Sequence, residues 1–149
     1  MILRVINLTK HFGGVLAVDC CSFDCAAGSI SGLVGPNGSG KSTLFNLITG
    51  VFLPDSGTIE LGSERLSGLR PHQIARRGIG RTFQTTRLFK SLTVLENVLL
   101  GANAGAEADL AEQGRALLED FGLGAFCERD AEALSFGQQR LVELARALI

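Results

Sequence analysis

Eight consecutive residues, Gly35-Pro36-Asn37-Gly38-Ser39-Gly40-Lys41-Ser42, satisfy the pattern G-x-x-x-x-G-K-[ST] at every fixed position. The flanks restrict the fold further. Upstream, Ser29-Ile30-Ser31-Gly32-Leu33-Val34 is a short apolar run that reads as a buried strand. Downstream, Thr43 to Gly50 places Leu44, Leu47 and Ile48 on one helical face and stops at a glycine. Strand, glycine-rich turn and helix in this order form a phosphate-binding unit, which predicts an α/β chain. The glycines let the backbone approach an anion closely, and successive N–H groups point inward with the positive end of the helix behind them. On this pattern Lys41 reaches the terminal phosphates of a nucleotide and the Ser42 hydroxyl ligates Mg²⁺. Pro36 is tolerated because no ladder needs its missing N–H.

A chain of 149 residues with 46% hydrophobic and 19% charged side chains is long enough for one domain with its own core. No stretch approaches the roughly 20 apolar residues of a membrane span, and Met1-Ile2-Leu3-Arg4-Val5-Ile6 starts in a strand-like pattern without a secretory leader. A cytoplasmic protein is expected. Cys20, Cys21, Cys25 and Cys127 lack zinc spacing, and His11 and His72 lie apart from them. They read as ordinary core or surface residues of a reduced compartment.

Net charge is −1, unevenly spread. Arg65, Arg70, Arg76, Arg77, Arg81, Arg87 and Lys90 fall in a stretch without acids, whereas residues 96–149 carry ten acidic side chains against four basic ones. The basic stretch has few interleaved aromatics and no groove-reading motif. It reads as solvated surface near a phosphate ligand, and no nucleic-acid partner is expected.

The remaining pattern predicts strands at 2–9 and 16–26 joined by a turn around His11-Phe12-Gly13-Gly14, a short strand Thr58–Leu61 after the Pro54-Asp55-Ser56-Gly57 turn, and a strand from Ile79 to Gln84. Helices are expected at Pro71–Gly78, from the capping box Thr93-Val94-Leu95-Glu96 to about Leu100, and from Ala106 to Phe121 on Leu110, Leu117, Leu118 and Phe121. Ser135 and Gln138 form a second capping box, opening an amphipathic run from Leu141 to Ile149. Gly137 inside the first turn weakens a helix, so a close approach by another backbone or a ligand explains it better than the fold does.

Together the motifs resemble the nucleotide-binding subunit of an ABC transporter. Leu134-Ser135-Phe136-Gly137-Gln138 resembles that family's signature sequence, and Gln84 in Arg81-Thr82-Phe83-Gln84 resembles its Q-loop glutamine. Phe12 resembles the A-loop aromatic that stacks on adenine, with an ordinary core position as the alternative. The run from Gly78 to Phe89, then Leu92-Thr93-Val94-Leu95-Glu96-Asn97-Val98, is similar to importers of branched-chain amino acids, as is His11 to Val18. Related urea and amide importers share much of this wording. The segment between Gln84 and the signature is shorter than is usual in branched-chain amino acid importers.

The resemblance implies a P-loop NTPase fold of ABC type with an antiparallel β subdomain and a helical subdomain, the C-terminal part missing. It divides the chain into an ATP-binding core at 1–91 and a helical subdomain at 92–149. It implies ATP held by Phe12, Gly35, Pro36, Asn37, Gly38, Ser39, Gly40, Lys41, Ser42, Thr43, Gln84, Ser135, Phe136, Gly137 and Gln138, and Mg²⁺ held by Ser42 and Gln84. It further implies a second ATP-binding subunit, identical or paralogous, packed head to tail. Transmembrane permease subunits and, indirectly, a solute-binding protein would complete the assembly at the cytoplasmic membrane face. Family members continue into a Walker B strand, a catalytic Glu and a switch His. No apolar run ending in Asp-Glu occurs in these residues, so no catalytic residue is assigned and the chain is expected to be a fragment. Two other readings stay open: a non-transport ABC ATPase of the DNA-repair or translation type, and a nucleotide-binding module without hydrolysis.

Overall fold

The computed structural model describes residues 2–83, 88–102 and 107–149. They form two compact units that divide between Ile79 and Gly80. That division lies upstream of the boundary expected at residue 92.

The first unit is built on a four-stranded antiparallel sheet. Its strands are β1 (Leu3–Phe12), β2 (Val15–Cys25), β3 (Ser56–Leu61) and β4 (Glu64–Arg65), in the order β2-β1-β3-β4. Gly13 and Gly14 close the β1–β2 hairpin, and Gly13, at φ +56°, supplies the left-handed residue of this tight reversal. The ladder is interrupted by bulges. Asn7 and Cys20 both adopt positive φ, 47° and 41°, where the register between β1 and β2 shifts. Local side chains compensate: the Asn7 N–H donates to Ser22 Oγ at 2.7 Å and the Cys20 N–H to Thr9 Oγ1 at 3.2 Å. One core gathers Val5, Leu8, Val18 and Ile59 from the strands, Leu44, Leu47 and Ile48 from helix α1 (Lys41–Ile48), and Ile74 from helix α2 (Pro71–Ala75). The 3.6-residue spacing of Leu44, Leu47 and Ile48 gives α1 its buried stripe.

The strand expected at 29–34 is not formed. Ile30 is fully exposed and Val34 93% exposed. A strand needs a ladder partner, and the described sheet offers none to this segment. The strand expected from Ile79 to Gln84 is likewise absent over 79–83, and Gln84 lies outside the described residues. Here the polar groups go elsewhere: the Phe83 carbonyl accepts from Arg140 Nη1 at 2.6 Å.

The second unit packs α3 (Val94–Leu99), α4 (Glu107–Asp120) and α5 (Phe136–Leu148) around Val94, Val98, Leu118, Leu123, Leu134, Val142 and Ala145. Both capping boxes form. The Glu96 N–H donates to Thr93 Oγ1 and the Thr93 N–H to the Glu96 carboxylate at 2.7 Å. Buried Asn97 is saturated: it accepts from the Phe89 N–H and donates to the carbonyls of Phe89, Leu92 and Thr93. A buried amide is tolerable only with its partners in place, and here it pins the turn that leads into α3. Glu143, also buried, sits between Arg140 at 3.0 Å and Arg146 at 3.8 Å.

Candidate nucleotide-binding site

The glycine-rich loop is a closed turn held by its own lysine. Lys41 Nζ donates to the carbonyls of Gly35 at 2.7 Å and Pro36 at 2.6 Å, folding the loop over its amine. Gly38 and Gly40 take φ of +84° and +85°, where an L side chain is strained. Gly40 is constrained twice, because a Cβ there would collide with the Ala17 carbonyl of β2. It stands immediately before α1 without a side-chain cap, and no acidic residue occupies the first turn. The first bond of the ladder runs from the Leu44 N–H to the Gly40 carbonyl at 2.8 Å. The N–H groups of Lys41, Ser42 and Thr43 therefore open the helix ahead of any intrahelical acceptor, giving it a positive end. Ser42 is exposed, with Thr43 half-buried beside it.

A hollow of about 530 Å³ borders the loop, lined by Leu16 to Asp19 and Cys21 of β2, by Leu33 to Pro36 and by Gly38 to Lys41, among others. Phe12, at the tip of the β1–β2 hairpin, belongs to the same unit. It is 42% exposed and meets Phe52 edge to face, with ring centroids 5.1 Å apart. Asp55 fastens this tip by accepting from Lys10 Nζ at 2.7 Å and from the His11 N–H at 2.6 Å. These two bonds, the lysine's first, lower its pKa from 3.8 to about 2. Asp55 is not legible as a site residue in the sequence, because Pro-Asp-Ser-Gly reads as a turn and nothing in it announces a contact to a distant hairpin.

Ser135 to Gln138 belong to the other unit. Ser135 Oγ accepts from the Gln138 N–H at 3.4 Å, and Gln138 Oε1 accepts from the Ser135 N–H at 2.9 Å, so both side chains serve the helix end. Phe136 is 67% exposed, with the Arg140 guanidinium 5.3 Å from its ring centre. A Cβ on Gly137 would meet nothing within 4 Å. The first unit thus gathers Phe12 and residues 35–43 and the second carries 135–138. No group of three or more His, Cys, Asp or Glu among the described residues is placed to hold a metal ion, and Cys20, Cys21, Cys25 and Cys127 are free thiols.

Residues 18–149 match the family model described as ABC transporter. The chain belongs to the ABC transporter family. It is 39% identical to the high-affinity branched-chain amino acid transport ATP-binding protein BraF of Pseudomonas aeruginosa and 38% identical to LivG of Escherichia coli. Both alignments cover 99% of this chain and 65% of the relative, so the chain spans about two thirds of the length of these ABC proteins. Each alignment extends over 165 positions, more than the 149 residues here, so the relatives carry residues without a counterpart in this chain. The fold is similar to the ADP conformation of MJ1267, an ATP-binding cassette of an ABC transporter, with a TM-score of 0.87 and 37% identity over 99% of this chain and 64% of that one. It is also similar to the dimeric structure of the ABC transporter cassette MJ0796, with a TM-score of 0.79 and 28% identity over 98% of this chain and 68% of that one. The antiparallel sheet and the helical unit are those of a P-loop ABC nucleotide-binding domain.

Proposed function

We propose that this chain grips ATP as part of the ATP-binding subunit of an importer for branched-chain amino acids or similar small polar solutes. The observation that carries the reading is the loop at 35–42, with its two left-handed glycines, its lysine folded over the turn and a helix opening free of acids. That donor set fits a polyphosphate: N–H groups and an ammonium for the anionic oxygens. The exposed Ser42 hydroxyl suits a hard divalent cation, with Gln84 as the second ligand. Mg²⁺, when bound, would offset charge on the β- and γ-phosphate oxygens.

Phe12 is the residue to stack on adenine, and its exposure favours this over a core role. The Ser135–Gln138 turn serves a partner cassette. Two cassettes packed head to tail place each ATP between one loop at 35–43 and the partner's turn, with the open face of Gly137 turned to the γ-phosphate. Binding closes that dimer, hydrolysis reopens it, and Gln84 reports the γ-phosphate to permease subunits at the cytoplasmic face of the membrane. No helix among the described residues is long and apolar enough to cross a membrane. The amino-acid class of solute rests on BraF and LivG. A ribose import ATP-binding protein of Rhodococcus jostii at 37% identity makes a sugar the second reading.

Calorimetric titration with ATP tests the grip. Lys41→Ala removes the charge and the two bonds that close the loop, and should weaken binding by more than about tenfold, or about 1.4 kcal/mol. Equal affinity in wild type and variant would refute the assignment.

A further inference from the structure

Residues 51–55 connect the helix that opens at the phosphate loop with the hairpin that carries Phe12. At one end, the Asn46 carbonyl of α1 accepts from the N–H groups of Val51 at 2.8 Å and Phe52 at 3.1 Å. In the middle, the Phe52 ring abuts the Phe12 ring at 72°. At the other end, the Asp55 N–H donates to the Thr9 carbonyl at 3.0 Å, and the Asp55 carboxylate holds Lys10 Nζ and the His11 N–H. The same Lys10 ammonium lies 5.5 Å from the centre of the Phe12 ring. Five consecutive residues therefore set the position of the ring relative to α1.

We infer that Asp55, together with Phe52, is a positioning residue that holds Phe12 in register with the phosphate loop for the nucleotide base. The inference rests on the reading of Phe12 as the base-stacking residue. The Asp55 carboxylate is 40% exposed, and exposed ion pairs contribute little to stability. What it does is specific: both oxygens are directed to the residues immediately before Phe12, and Pro54 fixes the backbone from which it reaches them. A hairpin tip released from Asp55 keeps its fold but presents the ring in many orientations, so stacking bears an ordering cost that the fastened tip avoids.

The test titrates the full chain with ATP and, separately, with inorganic triphosphate, both with Mg²⁺. Triphosphate reads the loop alone, so a merely structural role for Asp55 would lower both ligands together. Asp55→Ala should weaken ATP by about fivefold to tenfold, inside the range for loss of a base–aromatic stack, and leave triphosphate within about twofold. Asp55→Asn keeps an oxygen for the His11 N–H while dropping the charge on Lys10, and should fall closer to wild type. Phe12→Ala separates this inference from the reading beneath it. If Phe12→Ala weakens ATP selectively and Asp55→Ala does not, the positioning role is overturned and the stacking role stands. If Phe12→Ala leaves ATP unchanged, both fall. Parallel loss of ATP and triphosphate in Asp55→Ala also overturns the inference.

Discussion

Asp55 binds its proton far more weakly than an ordinary aspartate, and this makes the hairpin attachment visible to pH. Lys10 first, and then the His11 N–H, bring its pKa down from 3.8 to about 2. The folded value lies below the unfolded one, so the contribution to stability is complete above about 4 and is lost as pH falls through about 2. The His11 amide resonance should therefore titrate with a midpoint close to 2. A midpoint near 4, the unperturbed aspartate range, would mean that the contact is absent in solution. Lys41, Gly38 and Gly40 were legible in the sequence because the phosphate loop is a contiguous pattern whose residue types state their own chemistry. Asp55 and Asn97 were not: Asp55 finds its partners in a distant segment, Asn97 bonds backbone groups of the turn that precedes its own helix, and each looks like a generic turn or helix residue. Asp55 reaches a residue 44 positions away.

At the level of single elements, α5 contains a residue that its own helix does not need. Gly137 sits in the first turn with an open surround, so alanine would add no clash while reducing the backbone freedom lost on folding. Gly137→Ala should raise the stability of the chain, by up to about 0.5–1 kcal/mol, in a thermal melt. A fall in melting temperature would show that this glycine serves the fold, and would remove the argument that it is kept for an incoming phosphate. The two capping boxes were legible because each is a rule over four neighbouring residues, and both form where expected. The strands expected at 29–34 and 79–84 rest on local apolar content. That signal says a segment would be covered if a neighbour existed, and cannot supply the neighbour. Ile30 and Val34 accordingly stand in solvent, although their composition is that of an interior strand.

At the scale of the whole chain, the proposed phosphate grip bears on whether ATP is turned over or only held. Glu143, the carboxylate that would first be suspected of base chemistry, has each oxygen against an arginine and is 2% exposed. No strand among the described residues ends in paired acids, and the sequence holds no apolar run ending in Asp-Glu. Phosphoryl transfer depends on positioning and charge stabilisation, so this chain should hold ATP intact. In a steady-state phosphate-release assay it should run no faster than its Lys41→Ala variant. Phosphate release clearly above that of the Lys41→Ala variant would contradict the assignment of roles. The doubled kink at Asn7 and Cys20 has a further consequence, for colloidal behaviour. An edge strand invites a second molecule to continue its ladder only where it is long and straight, and β2 is bent midway. The sticky surface is instead the irregular stretch around Ile30 and Val34, which has no strand geometry to propagate. Concentrated or heated samples should therefore cloud as amorphous particles that scatter light and leave thioflavin dark, whereas ordered fibrils with a 4.7–4.8 Å repeat would place the contact along β2 after all.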